Sequence, residues 1–278
     1  MSRSSSRGTT LIMGIVNVTP DSFSDGGRFL ATDAAIAHGL RLVADGADFV
    51  DVGGESTRPG ASRVSAEVER DRVVPVVAAL AEAGAVVSID TMNAVTALAA
   101  IEAGARIVND VSGGLADPDM FAGVASTGAE MALGHWRGPS FDMYARASYH
   151  DVVGEVLAEL DGRVDAAAAA GIAPDRIIVD PGIGFGKQPE QNWAVLRELG
   201  RITGTGARVL LGTSRKGFLA QALGGQDVSQ ERRDLATAVT SALAARAGVW
   251  ALRVHDVGAT RDALAVAQHW EGADRWTS

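Results

Sequence analysis

The sequence predicts a single α/β domain built as a closed (β/α)8 barrel, or TIM barrel. Three observations favour this fold: short apolar runs alternate with longer amphipathic stretches, eight such pairs can be counted, and no unit is missing along the chain. Strand-then-helix alternation is typical of parallel βαβ units, and a barrel of eight units takes about 250 residues. An open, doubly wound sheet is the alternative fold, and the count of eight favours the barrel.

Each predicted strand is a short run rich in Val, Ile and Leu, as expected for strands that are buried on both faces. In chain order the runs are LIMGIVN (11–17), DFVDVGGE (48–55), AVVSIDT (85–91), RIVNDVS (106–112), EMALGH (130–135), RIIVDPG (176–182), RVLLGTS (208–214) and WALRVHD (250–256).

Between these runs, apolar residues recur at spacings of three and four, which predicts helices. The clearest examples are residues 34–44, 68–83, 95–103, 152–170 and 235–247. A glycine closes most of these stretches, where a left-handed residue commonly ends a helix: Gly46, Gly84, Gly104, Gly128, Gly171 and Gly248. Three longer connections, 19–32, 55–65 and 136–150, are predicted to be loops that act as lids.

Composition excludes several classes of protein. With 47% hydrophobic and 21% charged residues, the 278-residue chain is not intrinsically disordered. It has no cysteine, which excludes a disulfide framework or a cysteine nucleophile and fits a reducing compartment, so we expect a cytoplasmic protein. A net charge of −9 argues against nonspecific nucleic-acid binding, and no apolar run reaches the ~20 residues of a membrane span. We expect residues 1–10 to form a flexible N-terminal tail and 11–278 to form the barrel domain.

Polar residues stand at the carboxyl end of every predicted strand. In a barrel these ends and the loops after them form the active face. The residues are Asn17, Glu55, Asp90, Asn109, His135, Asp180, Ser214 with Arg215 and Lys216, and Arg253 with His255. Helix capping does not account for eight such ends, so the pattern predicts one active site at the barrel mouth.

The residue types divide this predicted site into two sides. Asp90, Asn109 and Asp180 suit a flat, donor-rich nitrogen heterocycle, because a carboxylate can accept two N–H bonds from a guanidine-like edge. Lys216, Arg253 and His255 follow strands 7 and 8, where barrels often bind phosphate. Asn17 is an oxygen ligand that could coordinate Mg²⁺ beside a bound diphosphate.

One glycine-rich segment, GIGFGK (182–187), is superficially like a phosphate-binding loop. Pro181 stands where the first glycine of a P-loop is required, and Gln188 replaces the Ser or Thr after the lysine. We therefore expect a flexible loop at the barrel mouth. Ser214 is not an esterase nucleophile, because the G-x-S-x-G motif is absent around it.

Taken together, seven motifs resemble those of the dihydropteroate synthase family of the folate pathway. They are NVTPDSFSDGG (17–27), DVGGESTRPGA (51–61), SIDT (88–91), NDVSGG (109–114), DPGIGFGK (180–187), GTSRK (212–216) and RVHD (253–256), in the family's order. The resemblance implies a pterin-binding TIM barrel, usually a homodimer. Such enzymes are transferases that join 6-hydroxymethyl-7,8-dihydropterin diphosphate to 4-aminobenzoate, which sulfonamides mimic.

The resemblance also implies roles for individual residues. Its pterin diphosphate site corresponds to Asp90, Asn109, Asp180, Phe185, Lys216, Arg253, Val254 and His255. Its 4-aminobenzoate site corresponds to Phe23, Ser56, Thr57, Arg58, Pro59 and Ser214. The catalytic residues would be Asp25, Lys216, Arg253 and His255, and Asn17 would hold Mg²⁺. The dimer surface would lie on helices of the last three units, about 189–203, 230–247 and 258–270.

Two other functions share this architecture. A methyltetrahydrofolate-binding methyltransferase would have no use for a diphosphate site or for the long first loop. A non-catalytic pterin-binding paralogue should have lost loop motifs that are intact in this sequence. The chain departs from the family pattern at Gly134, where Met is expected, and at Gln188, where Thr is usual; both departures concern the shape of the pocket.

Overall fold

The strands of the protein form a closed parallel barrel. The structure, a computed structural model, describes residues 9–19, 27–56, 63–138, 144–145, 147–225 and 227–272, without the side chains of 27–30. Within these ranges, eight strands pair in sequence order and the eighth pairs with the first. The predicted barrel is therefore confirmed over the open sheet.

Every strand lies within its predicted run. The strands are β1 (Leu11–Asn17), β2 (Phe49–Gly53), β3 (Val87–Asp90), β4 (Ile107–Asp110), β5 (Glu130–Gly134), β6 (Ile177–Asp180), β7 (Arg208–Leu211) and β8 (Ala251–Val254). Nearly all of their residues are buried, because the helices cover the outer face and side chains fill the interior.

Helices follow the strands around the outside. They are α1 (Gly27–Ala44), α2 (Ala66–Glu82), α3 (Ala94–Glu102), α4 (Met120–Ala125), α5 (Val152–Ala169), α6 (Pro189–Arg197), α7 (Leu199–Thr203), α8 (Gly217–Ala222), α9 (Gln230–Arg246) and α10 (Val257–Glu271). None of the helices described here is long and apolar enough to cross a lipid bilayer.

The helix ends follow local sequence signals in most places. The Ser65 hydroxyl accepts a hydrogen bond from the Val68 amide at 3.3 Å and so caps α2. Of the glycines predicted to close helices, Gly128 alone does not have a positive φ. The predicted loop over 19–32 is wrong for residues 27–32, which belong to α1. No Pro or further Gly follows Gly27 there, so nothing interrupts the helix.

The barrel interior changes from apolar to polar along the strands. Its lower layer is a buried apolar cluster of Met13, Ile107, Ala132, Ile178, Leu210 and Ala251. Side chains alternate between the two faces of a strand, so the residue two positions further along faces the same way. Those next positions are Asn109 after Ile107, Asp180 after Ile178 and Arg253 after Ala251. A polar layer thus lies directly above the apolar one, at the carboxyl ends.

Candidate active site

Strand register brings several of the predicted site residues side by side. Asn17 pairs with Gly53, Gly53 with Asp90, and Asp90 with Asn109, across four successive strands. All four positions stand at or beside the carboxyl end of their strand. Asn17, Asp90 and Asn109 therefore occupy one row at the barrel mouth, although 92 residues separate the first from the last.

An ion cluster centred on Arg253 lies inside the mouth. The Arg253 guanidinium donates from Nε to Asp51 Oδ2 at 2.5 Å and from Nη2 to Asp90 Oδ2 at 2.6 Å. Asn109 Nδ2 donates to the same Asp51 oxygen at 3.0 Å. The side chain of Asp51 is fully buried, and its Oδ1 has no hydrogen-bond partner among the described residues. Asp51 therefore fixes both Arg253 and Asn109.

Burial and neighbouring charges shift the pKa values of this cluster in opposite directions. Burial raises the pKa of Asp90, and the adjacent Arg253 guanidinium moderates the rise. Burial alone would lower the pKa of Arg253, but Asp51 and Asp90 outweigh it and raise the pKa. Arg253 is therefore cationic at neutral pH. A fixed cation of this kind is suited to an anionic substrate.

A second group lies at the ends of β6 and β7. Lys216 Nζ donates to the carbonyl of Ile183 and sits 4.6 Å from the centroid of the Phe185 ring. Burial lowers the pKa of Lys216 to about 8, although the carboxylate of Asp180 opposes the change. Gly184 has a φ of +81°, a left-handed conformation that favours glycine, and it packs against the lysine stem, since a Cβ there would lie 2.8 Å from Lys216 Cδ. The 182–186 loop therefore determines where the lysine side chain lies.

Asp180 presents a carboxylate to the same region. Its Oδ1 accepts a hydrogen bond from the Gly182 amide at 2.7 Å. Burial raises the pKa of Asp180, and Lys216 opposes the rise. A carboxylate held by one main-chain amide keeps lone pairs for a ligand that offers paired N–H groups.

Ser214 and His255 form a pair at the ends of β7 and β8. Their Oγ and Nδ1 atoms are 2.9 Å apart, and the main-chain amide of His255 donates to the same Oγ at 3.1 Å. Ser214 thus fixes the orientation of the imidazole. Arg215, predicted to lie in the polar ring, turns away because its guanidinium pairs with Asp234 of α9 at 2.6 and 2.9 Å.

Comparison with known proteins identifies the family. A family model described as "Pterin binding enzyme" matches residues 13–255. The chain is 53% identical over 263 residues to a dihydropteroate synthase of Mycobacterium leprae, covering 93% of each chain. The chain belongs to the pterin-binding enzyme family.

Solved structures of dihydropteroate synthases agree with this assignment. The enzyme of Xanthomonas albilineans with 4-aminobenzoic acid superposes with a TM-score of 0.89 at 42% identity, covering 96% of this chain and 94% of that one. The enzyme of Anaplasma phagocytophilum with bound 6-hydroxymethylpterin-monophosphate gives a TM-score of 0.86 at 40% identity, covering 94% and 99%. Within the pterin-binding enzymes, this chain therefore falls among the dihydropteroate synthases.

Most of the predicted site residues that the structure describes meet at the mouth. The residues brought together are Asp90, Asn109, Asp180, Phe185, Ser214, Lys216, Arg253 and His255, with Asn17 at the end of β1. The side chain of Val254 is instead buried in the apolar core between the barrel and its helices, which leaves only its main chain for a ligand. Ser56 is half-buried just after β2. Five predicted residues lie outside the described part of the chain: Phe23, Asp25, Thr57, Arg58 and Pro59.

Two strand ends differ from the sequence-based expectation. Strand β2 contributes Asp51 to the mouth, whereas Glu55 lies beyond the strand and pairs with Arg63 at 3.5 Å. His135 is buried between Lys187 and Glu159. An acidic residue inside an otherwise apolar strand was the available signal for Asp51. The prediction took Glu55, near the end of the run, as the polar residue of this strand and so missed Asp51.

The Met that the family pattern places at position 134 does not fit the main chain of this protein. A Cβ on Gly134 would lie 2.5 Å from the carbonyl oxygen of Val111. Val111 directly follows β4, and Gly134 is the last residue of β5. A larger residue at position 134 would require one of these two segments to move, so Gly134 allows them to approach closely.

Proposed function

We propose that this chain is a dihydropteroate synthase, which condenses 6-hydroxymethyl-7,8-dihydropterin diphosphate with 4-aminobenzoate to give 7,8-dihydropteroate and diphosphate. The proposal rests on one observation: hydrogen-bond acceptors and cationic side chains lie side by side at the barrel mouth. Asp90 and Asn109 stand beside Arg253, which bonds directly to Asp90 at 2.6 Å. A heterocycle bound by the carboxylates would thus hold its leaving group against the cations.

The carboxylates and the amide bind the pterin. The Asp180 carboxylate accepts N–H bonds from the guanidine-like edge of the ring, as a bidentate acceptor does for arginine. Asp90 and Asn109 bond the opposite side of the heterocycle. Lys216 and Phe185, which contact each other, flank the pterin where it leaves the mouth.

The cations stabilise the leaving group. The bond between the pterin methylene carbon and the diphosphate oxygen breaks, and the electron pair leaves with the diphosphate. Positive charge on the carbon is delocalised into the ring, while Arg253 and His255 stabilise the developing negative charge of the diphosphate. The amine of 4-aminobenzoate then forms the new C–N bond and loses one proton to solvent or to a base.

We assign the 4-aminobenzoate site to Phe23, Ser56, Thr57, Arg58 and Pro59 with Ser214. Closure of the predicted loops over this site would exclude water, which competes with the amine for the electrophilic carbon. Asp25 would stabilise the cation or take the amine proton. If Asp25→Asn retained normal turnover and substrate affinity, neither role would stand.

We further propose that the reaction uses Mg²⁺. The part of the chain that the structure describes holds no group of three His, Asp or Glu side chains that could bind a metal. At many phosphate sites Mg²⁺ binds mainly through substrate oxygens and water, and here the amide oxygen of Asn17, at the carboxyl end of β1, would be a protein ligand. When bound, Mg²⁺ would neutralise diphosphate charge.

Product formation tests the proposal. Purified protein, Mg²⁺, the pterin diphosphate and 4-aminobenzoate should yield dihydropteroate and diphosphate, and a sulfonamide should compete with 4-aminobenzoate. Tight pterin binding without product would favour a non-catalytic paralogue. Transfer of a methyl group from methyltetrahydrofolate would favour the methyltransferase. Omitting Mg²⁺ should abolish turnover, and Asn17→Ala should raise the Mg²⁺ concentration required.

We also propose a homodimer formed through α9 and α10. Leu235, Val239 and Leu243 recur every four residues on α9, and more than half of each side chain is exposed. On the adjacent α10, Val266 is 68% and Trp270 86% exposed. Exposed apolar residues on two adjacent helices are typical of an interface between subunits, and a second copy would bury them isologously. The cytoplasmic location stays a prediction.

A further inference from the structure

The side chain of Lys187, the last residue of the GIGFGK segment, is directed into the protein interior, and burial lowers its pKa to about 7, although the carboxylate of Asp180 opposes the change. Only 1% of the residue is exposed, whereas lysines are almost never fully buried without a partner. Its Nζ lies 2.8 Å from His135 Nδ1, 3.0 Å from the Gly182 carbonyl and 3.2 Å from the Phe185 carbonyl. In its protonated form the side chain has three N–H donors, and these three acceptors use all of them.

The state of His135 makes Lys187 the donor in this contact. His135 Nε2 lies 3.0 Å from Glu159 Oε2, and a carboxylate only accepts hydrogen bonds, so Nε2 carries the proton. Burial lowers the pKa of His135 to about 2, helped by the charges of Lys187 and Arg137, so the ring is neutral. Its Nδ1 is therefore a bare acceptor that faces Lys187.

Other side chains brace the same loop from the helix side. Asn192 of α6 accepts from the Gly184 amide at 2.6 Å, and the Tyr149 hydroxyl donates to the Gly186 carbonyl at 2.9 Å. The opposite side of the loop faces the mouth, where the Ile183 carbonyl and the Phe185 ring contact Lys216. One short loop thus joins a buried polar network to a residue of the proposed pterin site.

We propose that Lys187 is a positioning residue for pterin diphosphate: by tying the Gly182 and Phe185 carbonyls to His135, it fixes the 182–186 loop and, through it, Phe185 and Lys216. This inference rests on the proposed synthase reaction, in which Phe185 and Lys216 contact the pterin. Lys187 itself does not reach the mouth. Gly182 keeps the loop close to β5, because a Cβ there would lie 2.1 Å from the His135 carbonyl oxygen.

The test compares Lys187→Met with a stability control. Met fills the volume of the lysine stem but donates no hydrogen bond, so His135 Nδ1 and the Phe185 carbonyl lose this donor, while the Gly182 carbonyl keeps only the Phe185 amide. We expect KM for pterin diphosphate to rise about tenfold to a hundredfold, because small displacements of positioning groups have effects of this size. KM for 4-aminobenzoate should change much less, because none of the residues assigned to that site belongs to the 182–186 loop.

Leu80→Ala is the matched control, since Leu80 is fully buried on α2 and takes no part in the site. It should lower Tm and leave both KM values unchanged. Lys187→Gln, which retains two N–H donors, should give an intermediate KM for pterin diphosphate and serves if Lys187→Met does not fold. A normal KM for pterin diphosphate in either folded variant, or an equal rise of both KM values, would overturn the inference.

Direct calorimetric binding of pterin diphosphate separates this inference from the proposed function. If the wild-type protein formed no dihydropteroate, the proposed function would fail. Weaker binding by Lys187→Met than by wild type would then still support the positioning role, and equal binding would refute it.

Discussion

Replacing Asp51 by Asn tests whether the buried carboxylate organises the barrel mouth. Asp51 Oδ2 accepts from both Arg253 Nε and Asn109 Nδ2, and the side chain is fully buried. The substitution preserves size but removes the negative charge, so Arg253 retains Asp90 as its single carboxylate partner. Both the stability of the protein and its affinity for pterin diphosphate should fall.

The size of the effect on stability follows from the burial of the Asp51–Arg253 ion pair. Removing one partner of a buried ion pair lowers the free energy of unfolding by about 3–5 kcal/mol. Because Arg253 keeps its contact with Asp90, we expect a loss of about 3 kcal/mol for Asp51→Asn. Unfolding entropy of about 2.1 cal/mol/K per residue amounts to about 0.6 kcal/mol/K for a chain of 278 residues. Tm should therefore fall by about 5 °C.

Thermal unfolding monitored by fluorescence or calorimetry measures this shift, with Ser88→Ala as the control. Ser88 pairs with Asp51 in the strand register and is equally buried, but its hydroxyl has no hydrogen-bond partner in the described structure. Its removal should leave Tm unchanged or raise it slightly. We also expect Asp51→Asn to bind pterin diphosphate about tenfold more weakly, about 1.4 kcal/mol. A Tm within 1 °C of wild type, with unchanged affinity, would refute the argument.

Three further predictions concern the cations, the pterin and the dimer. Burial lowers the pKa of Lys216 to about 8, so the side chain is charged below that pH and neutral above it. The affinity for pterin diphosphate should therefore fall as the pH rises through about 8. In a calorimetric pH series, Lys216→Met should show a much weaker pH dependence. Asp180→Asn should weaken pterin binding about a hundredfold, because a charged acceptor of paired N–H groups is lost; undiminished affinity would place the heterocycle elsewhere. The double variant Val239→Glu/Leu243→Glu should sediment as a monomer with an unchanged circular dichroism spectrum, and a persistent dimer would assign the interface to another surface.

Local patterning was sufficient to predict the barrel. Each strand is a short apolar run that both the helices and the interior bury, so its hydrophobicity alone located β1 to β8. The start of α1 was less well predicted: the helical spacing was recognised only from residue 34, whereas α1 begins at Gly27. The ring of polar strand ends was predicted because parallel strands in a barrel present their carboxyl ends to one face.

The sequence therefore determined the fold, the face that carries the site and the chemical types of the groups there. Tertiary structure alone decided which of these groups touch. It put Asp51 rather than Glu55 against Arg253, turned Arg215 towards Asp234, and buried Lys187 beneath the loop that holds Lys216. The reason is that a side chain's direction depends on strand register and on the partner that satisfies its charge. Both depend on residues far away in the chain: 202 positions separate Asp51 from Arg253.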